Sequence, residues 1–149
     1  MNVRRSTTLQ APAPEVWDLV SDPWRLPLWW PGVARVEEAT AQAWTTVLTS
    51  GGGRSVRADY TRVEEEPSRR LVWVQELDET PFERILAEST TEIVLAPLGE
   101  DTRLELTLRQ RPRGWARFAP FQLRAAARRQ VEGAVEAVEA IFAPREGAT

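Results

Sequence analysis

The chain has 149 residues, a formal net charge of -3, and neither cysteine nor histidine. This composition excludes disulfides, thiolate nucleophiles, histidine-ligated zinc sites and imidazole bases. No acidic cluster appears at metal-ligand spacing, so we expect no metal and no other cofactor.

The first part of the chain predicts one strand followed by two short helices. Residues 2–9 alternate in polarity, as in a strand with one buried face. Residues 11–22 begin with prolines that suit only the start of a helix, and they continue with a short apolar pattern. The segment WRLPLWW, residues 24–30, predicts a second helical turn that Pro31 and Gly32 end.

From residue 33 the pattern predicts six strands. Their expected ranges are 33–39, 43–49, 54–65, 71–77, 83–95 and 102–109. Gly51, Gly52 and Gly53 supply the backbone freedom of a hairpin turn, and prolines and acidic residues mark the other turns. Because the links are short, we expect neighbouring strands to be antiparallel.

Residues 115–142 form the longest helical pattern. An apolar stripe recurs every three or four residues at Leu123, Ala127, Val131, Ala134, Val138 and Ile141. A helix that starts at Pro120 runs for about 22 residues, or roughly 33 Å, and needs a sheet to cover its stripe. The stripe is built mostly of small residues, so we expect it to close a pocket rather than to plug one. We predict one domain over 1–144 and a disordered tail over 145–149.

Three stretches then carry a family likeness. They are Thr8-Leu9-x-Ala11-Pro12-x-x-x-Val16-Trp17-x-Leu19-x-Ser21-Asp22 with Trp29-x-Pro31-Gly32-Val33, the segment 64–73 with Pro67, Arg70 and Leu71, and the hairpin 95–104 with its Thr102-Arg103 pair. Together they resemble the START-like, or SRPBCC, superfamily, in particular its polyketide cyclase/dehydrase branch. The likeness covers essentially the whole chain.

The resemblance implies an α+β helix-grip fold, in which a curved seven-stranded antiparallel sheet wraps the long C-terminal helix, with two short helices between the first two strands. It also implies a cavity between sheet and helix. Members bind lipids, sterols, plant hormones or polyketides, and others are cyclases, so the fold does not choose the function.

Strand periodicity assigns the residues that line this cavity. On the strand 83–95, the uncharged face carries Ile85, Ala87, Ser89, Thr91, Ile93 and Leu95, and we expect it to face inward. Ala87, Ser89 and Thr91 are small for a packed core. The missing volume is either an open pocket or is filled by Trp29, Trp30, Trp44 or Phe121.

The aromatic residues supply most of the other predicted site residues. Trp29 and Trp30 are adjacent, so we expect one to point inward and the other outward. Tyr60 is the sole tyrosine and is expected inside, and Phe118 and Phe121 are expected, with Trp115, to form a mobile gate. The predicted ligand contacts are Trp29, Trp30, Trp44, Tyr60, Trp73, Ala87, Ser89, Thr91, Phe118, Phe121 and Val131.

The same faces place the charged residues outside. Asp59, Glu76, Arg84, Glu88 and Glu92 all fall on outward positions, although acid-base catalysis needs a carboxyl group in the chamber.

Three functions therefore remain open. The first is binding of a small, largely apolar ligand such as a lipid, a sterol-like molecule or an aromatic polyketide. The second is a polyketide cyclase or dehydrase, and the third is an interaction module with exposed tryptophans near residues 24–30. We expect no nucleic acid partner, no insertion into a membrane, and a monomer or homodimer. The N-terminal segment lacks an apolar signal-peptide core, which favours a cytoplasmic bacterial protein.

Overall fold

A computed structural model describes residues 1–49 and 52–144, and its strands form a seven-stranded antiparallel sheet. The strands are β1 (Asn2–Leu9), β2 (Val33–Glu37), β3 (Ala43–Thr49), β4 (Ser55–Glu66), β5 (Arg70–Glu76), β6 (Leu86–Leu98) and β7 (Asp101–Pro112). They lie side by side in the order β1-β7-β6-β5-β4-β3-β2. Every strand after β2 therefore pairs with its predecessor by a hairpin, and β1 closes onto β7. The predicted α+β helix-grip fold is confirmed.

In the described part of the chain, three α-helices accompany the sheet, namely α1 (Ala13–Val20), α2 (Leu26–Trp29) and α3 (Pro120–Ile141). A proline stands in the first turn of each of them, where its missing N–H has no helical partner to lose. Short 3-10 turns precede or link these elements at Pro23–Arg25, Pro81–Arg84 and Gly114–Phe118. The two short helices between β1 and β2 and the 22-residue final helix match the prediction.

The largest difference from the predicted elements lies before β6. The sequence pattern predicts a strand from residue 83, whereas residues Pro81–Arg84 form a 3-10 turn. The hydroxyl oxygen of Thr80 accepts a hydrogen bond of 3.2 Å from the backbone N–H of Phe82, and this cap starts the turn. Gly51, which belongs to the predicted glycine turn, lies outside the described residues. The predicted tail, residues 145–149, lies outside them as well.

Helix α3 packs against β1, β7 and α2. Ala127, Val131, Ala134 and Val138 are buried as the stripe predicts. Val135 is buried as well, but Leu123 is only half-buried and Ile141 is exposed, so the stripe is wrong at both ends. The sheet covers only the middle of the helix.

Two polar contacts, one buried and one at the surface, join parts of the chain that are distant in sequence. The buried hydroxyl of Thr102 donates a hydrogen bond of 2.7 Å to the carbonyl oxygen of Ala11, which holds β7 to the segment after β1. Arg5 on β1 reaches Glu132 on α3 at 3.4 Å.

Within residues 1–49 and 52–144, none of the helices combines the length and the hydropathy needed to cross a lipid bilayer.

Candidate functional site

A small chamber of about 70 Å³ lies between the inner face of the sheet and α3. Six of its lining residues have uncharged hydrogen-bonding side chains, which are Tyr60, Gln75, Ser89, Thr91, Gln110 and Gln130. The other five are apolar, which are Trp30, Leu48, Phe82, Leu86 and Leu108. Ser89 and Thr91 are buried and form the floor. The half-buried lining residues form the rim, and they are Leu48, Tyr60, Gln75, Phe82, Gln110 and Gln130.

Strand β6 supplies the floor, and a bulge decides which of its residues take part. Ser89 and Thr91 face the chamber as predicted. The pairing of β6 with β7 shifts between Leu86 and Glu88, and a bulge of this kind reverses the face of the residues on one side of it. Leu86 consequently lines the chamber, and Ala87 faces two recesses outside it. The prediction that Ala87 lines the chamber is wrong.

A cluster of aromatic rings fills the space beside the chamber. Trp73 on β5 makes edge contacts with Trp29, Trp30 and Trp44 at centroid distances of 6.4, 6.0 and 5.6 Å. Trp44 in turn stacks on Tyr60 at 6.0 Å. The volume that the small residues of β6 leave is thus largely filled by tryptophans. The two alternatives of open pocket and filled core are each realised in part.

Trp29 and Trp30 are both buried, so the prediction that one of them points outward is wrong. Their ring centroids lie 5.5 Å apart in a T-shaped arrangement. Trp29 is the last residue of α2, whereas Trp30 is extended, with φ -89° and ψ 122°. The change of backbone conformation between the two residues turns both side chains toward the core.

Tyr60 links the aromatic cluster to the chamber. Burial raises the pKa of its hydroxyl to about 12, and a hydrogen bond with Thr46 offsets only part of that rise. The phenol therefore stays protonated over the whole physiological range. It acts as an uncharged donor or acceptor of hydrogen bonds, and a general base would need a much lower pKa.

Gln110 carries an unpaired acceptor at the chamber wall. Its side-chain amide nitrogen donates a hydrogen bond of 3.3 Å to the hydroxyl oxygen of Ser89. Its amide oxygen is buried and, among the described residues, receives no hydrogen bond. A buried polar atom without a partner costs free energy, so this oxygen favours a molecule in the chamber that carries a hydroxyl or another donor.

The five charged residues predicted to face outward, Asp59, Glu76, Arg84, Glu88 and Glu92, lie outside the chamber. Glu76 and Asp59 accept hydrogen bonds from threonines, and Arg84 and Glu88 are exposed. Burial by itself raises the pKa of Glu92, but hydrogen bonds from Arg70 and Arg109 and the charges of these two residues outweigh it, so the pKa lies below its usual range. None of these five carboxyl and guanidinium groups lines the chamber.

The other predicted contacts fall into three places. The core beside the chamber contains Trp29, Trp44 and Trp73. Val131, a residue of α3, is fully buried. Phe118 and Phe121 are almost fully exposed, so the prediction that they gate the chamber is wrong. Gln130, one residue before Val131, supplies the lining from α3.

Arg62 is a buried residue near the site that the sequence prediction missed. Its guanidinium carbon lies 5.7 Å from the centroid of the Trp44 ring, and only 8 % of the residue is exposed. Burial lowers the pKa of Arg62, although Glu65 and Asp22 counter the fall. The alternation of Val56, Ala58 and Tyr60 along β4 predicts an inward side chain at position 62, and that periodicity is the signal that would have found it.

Residues 1–143 of the chain match the family model described as polyketide cyclase / dehydrase and lipid transport. None of the curated protein sequences compared with the chain matches it. Among solved structures, the ZhuI aromatase/cyclase from Streptomyces sp. R1128 is 22% identical, with a TM-score of 0.77 over 99% of this chain and 96% of that one. A START superfamily protein from Mycobacterium smegmatis is 14% identical, with a TM-score of 0.68 over 95% and 96% of the two chains. A conserved protein from Geobacillus kaustophilus is 18% identical, with a TM-score of 0.77 over 96% and 95%. At these identities the structural likeness concerns the fold.

Proposed function

The chain belongs to the polyketide cyclase / dehydrase and lipid transport family, and we propose that it binds a small, largely apolar molecule whose uncharged polar end enters the chamber. The observation that carries this proposal is the lining itself. Six uncharged hydrogen-bonding side chains converge on about 70 Å³, and the amide oxygen of Gln110 lacks a donor among the described residues. A neutral hydroxyl or carbonyl group suits these partners, whereas an ion would lack a counter-charge.

The size of the chamber defines how such a molecule binds. An engineered apolar cavity of about 150 Å³ holds one benzene molecule, so a chamber of about 70 Å³ takes less than an aromatic ring. The polar group therefore lies at the floor beside Ser89, and the apolar body lies at the rim between Leu48 and Phe82. Enclosing the whole molecule requires Phe82 or Gln130 to move.

The lining favours binding over acid-base catalysis. Tyr60 is the ionisable residue among the described lining residues, and a pKa of about 12 keeps it protonated. The carboxylates of Asp59, Glu76, Glu88 and Glu92 lie on the outer face of the sheet. The interaction-module hypothesis retains only Trp24 of its tryptophans, because Trp29 and Trp30 are buried.

The proposal is tested with a matched series of ligands of one shape. Calorimetric titration and thermal-shift measurement compare 2-naphthol, naphthalene and 2-naphthoate. We expect 2-naphthol to bind most tightly, since naphthalene cannot bond to Gln110 and naphthoate carries an uncompensated charge. Native mass spectrometry of the purified protein should in addition show a neutral molecule that co-purifies.

Two substitutions two residues apart give the control. Ser89→Leu fills the floor of the chamber and should abolish 2-naphthol binding, whereas Ala87→Leu lies outside and should leave the affinity unchanged. Equal binding by both variants, or a preference for naphthoate, would overturn the proposal.

A further inference from the structure

The charge of the chain is strongly segregated, although its net value is only -3. Between Glu105 and Glu132 the sequence contains seven arginines and no acidic residue. Arg109 pairs with Glu92. Among the described residues, the other six arginines form no ion pair with a carboxylate. The end of β7 and the first half of α3 therefore carry a local excess of positive charge.

Three large aromatic side chains project from the same segment. Trp115, Phe118 and Phe121 are 63%, 88% and 85% exposed, and they lie on the 3-10 turn Gly114–Phe118 and the first turn of α3. Such exposure is costly in water, and an exposed apolar patch of this kind marks a surface for interaction. We call Trp115, Phe118 and Phe121 with Arg113, Arg117 and Arg124 the basic aromatic surface.

The backbone beneath this surface is held in place. The N–H of Arg113 donates a hydrogen bond of 2.8 Å to the carbonyl oxygen of Ile85. Gly114 has a φ of +63°, and a Cβ atom there would lie 2.8 Å from the carbonyl oxygen of Arg84. Glycine thus lets the chain turn sharply against the residues before β6, and the turn presents the aromatic side chains outward.

A basic recess and an apolar groove lie next to each other along this segment. Arg111, Arg113 and Arg117 line the recess with Ala87 and Pro112. The groove is lined by Ile85, Trp115 and Leu123 together with alanines of the turn and of α3. A phosphate group fits the chemistry of the recess, and a hydrocarbon chain fits that of the groove.

We propose that the basic aromatic surface docks on an anionic lipid bilayer. Aromatic residues among arginines are the composition that binds at the interface between headgroups and acyl chains, and the arginines are attracted to negatively charged headgroups. Phe118 and Phe121 have no hydrogen-bonding group and insert among the acyl chains, so this proposal departs from the expectation from the sequence that no part of the chain enters a membrane. A two-fold symmetric dimer through this surface fits poorly, because it would bring one arginine-rich surface against another. This inference does not depend on the ligand of the chamber.

The test is cosedimentation of the full chain with vesicles of stated composition. Vesicles of phosphatidylcholine alone are compared with vesicles of phosphatidylcholine and phosphatidylglycerol in equal proportion. We expect binding to the anionic vesicles, little binding to the neutral ones, and release by high salt. Equal binding to both kinds of vesicle, or binding to neither, would overturn the proposal.

Two double variants and two matched controls assign the binding to this surface. Phe118→Ser with Phe121→Ser, and Arg113→Ala with Arg117→Ala, should each weaken binding to anionic vesicles by about tenfold or more. The apolar control, Trp24→Ser with Leu28→Ser, and the charge control, Arg54→Ala with Arg69→Ala, change exposed residues elsewhere and should bind as the wild type does. Losses of the same size in a control and its matched variant would contradict the assignment.

Two further measurements distinguish a lipid bilayer from a second copy of the chain and from a nucleic acid. Light scattering without vesicles should show the same mass for the wild type and the phenylalanine variant, and a dimer that this variant abolishes would overturn the lipid proposal. Tighter binding to single-stranded oligonucleotide than to anionic vesicles would do so as well. The Ser89→Leu variant should keep its affinity for vesicles, so failure of the chamber proposal is distinguishable from failure of this one.

Discussion

The guanidinium group of Arg62 donates a hydrogen bond of 2.5 Å to the backbone carbonyl oxygen of Ser21, which lies 41 residues earlier in the chain. Ser21 follows α1, so this bond fastens the end of that helix to the inner face of β4. The same side chain lies over the Trp44 ring and contacts Glu65 at 3.3 Å. Arg62 therefore joins the sheet, the first helix and the aromatic cluster.

Replacing Arg62 by methionine should destabilise the protein. The variant loses a charged hydrogen bond to Ser21, an interaction worth about 1.5–3 kcal/mol. Chemical denaturation of the wild type and the variant measures the loss. Arg69→Met is the matched control, because Arg69 is exposed, and a loss of equal size there would remove Arg62 from this role.

Glu92→Gln should lower stability in a pH-dependent way. The pKa of Glu92 in the folded chain is below its usual value of 4.5, so the carboxylate stabilises the fold above that value, and this stabilisation is lost as the pH falls through the folded pKa. The difference in Tm between wild type and variant should be full near neutral pH and should shrink on acidification. A difference that is constant across this range would show that the ion pairs with Arg70 and Arg109 contribute nothing.

Tyr60 is the sole tyrosine in the chain, so its ionisation can be followed directly in the near-ultraviolet tyrosinate band. With a pKa raised to about 12 by burial, it should titrate about two units above the usual value of 10. Because the pKa of Tyr60 is higher in the folded chain than in the unfolded one, its contribution to the free energy of unfolding is present in full below pH 10 and is lost as the pH rises toward 12. Titration near the usual value would mean that the phenol is in free contact with water.

The Tyr60→Phe variant tests the hydroxyl as a ligand contact. We expect 2-naphthol to bind about 3- to 10-fold more weakly, which corresponds to the loss of one neutral hydrogen bond. The affinity of the wild type should stay constant between neutral and mildly alkaline pH, because Tyr60 keeps its proton there. The measurement stays below the pH at which 2-naphthol, itself a phenol, begins to ionise, and an affinity that falls within this range would indicate that another group titrates in the chamber.

Gly133→Val should strain the contact between α3 and the segment after α2. A Cβ atom at Gly133 would lie 2.8 Å from Cγ of Pro31, and overpacking of this kind costs about 1–3 kcal/mol. Because Pro31 follows Trp30, the shift should also change the near-ultraviolet circular dichroism of the tryptophans. Ala140→Val, at an exposed position of the same helix, should change neither stability nor spectrum by a comparable amount.

Much of the fold follows from local patterns in the sequence. Alternation along the strands, prolines at the starts of helices and turn residues between strands are properties of neighbouring residues, and they predicted the order of elements. Alternation also placed Ser89 and Thr91 on the inner face, because a strand repeats every two residues regardless of what it pairs with.

The errors come from events that interrupt a local period. Because of the bulge between Leu86 and Glu88, Leu86 lines the chamber in place of Ala87. The bulge arises from the pairing of β6 with β7, and no residue of β6 alone predicts it. The change from helix to extended backbone between Trp29 and Trp30 likewise let both rings face inward.

The sequence by itself determined the order of the elements, the inward floor of β6, and a segment rich in arginine and aromatic residues near residue 115. Only the tertiary structure decided that four tryptophans fill the space beside the chamber, which glutamines complete its wall, and that Phe118 and Phe121 lie outside it. The physical reason is that hydrophobicity states a preference for burial, whereas burial itself depends on which surfaces the packed elements bring together. Gln110 and Phe118 show both sides of this, since the polar residue lines the chamber and the apolar one faces outward.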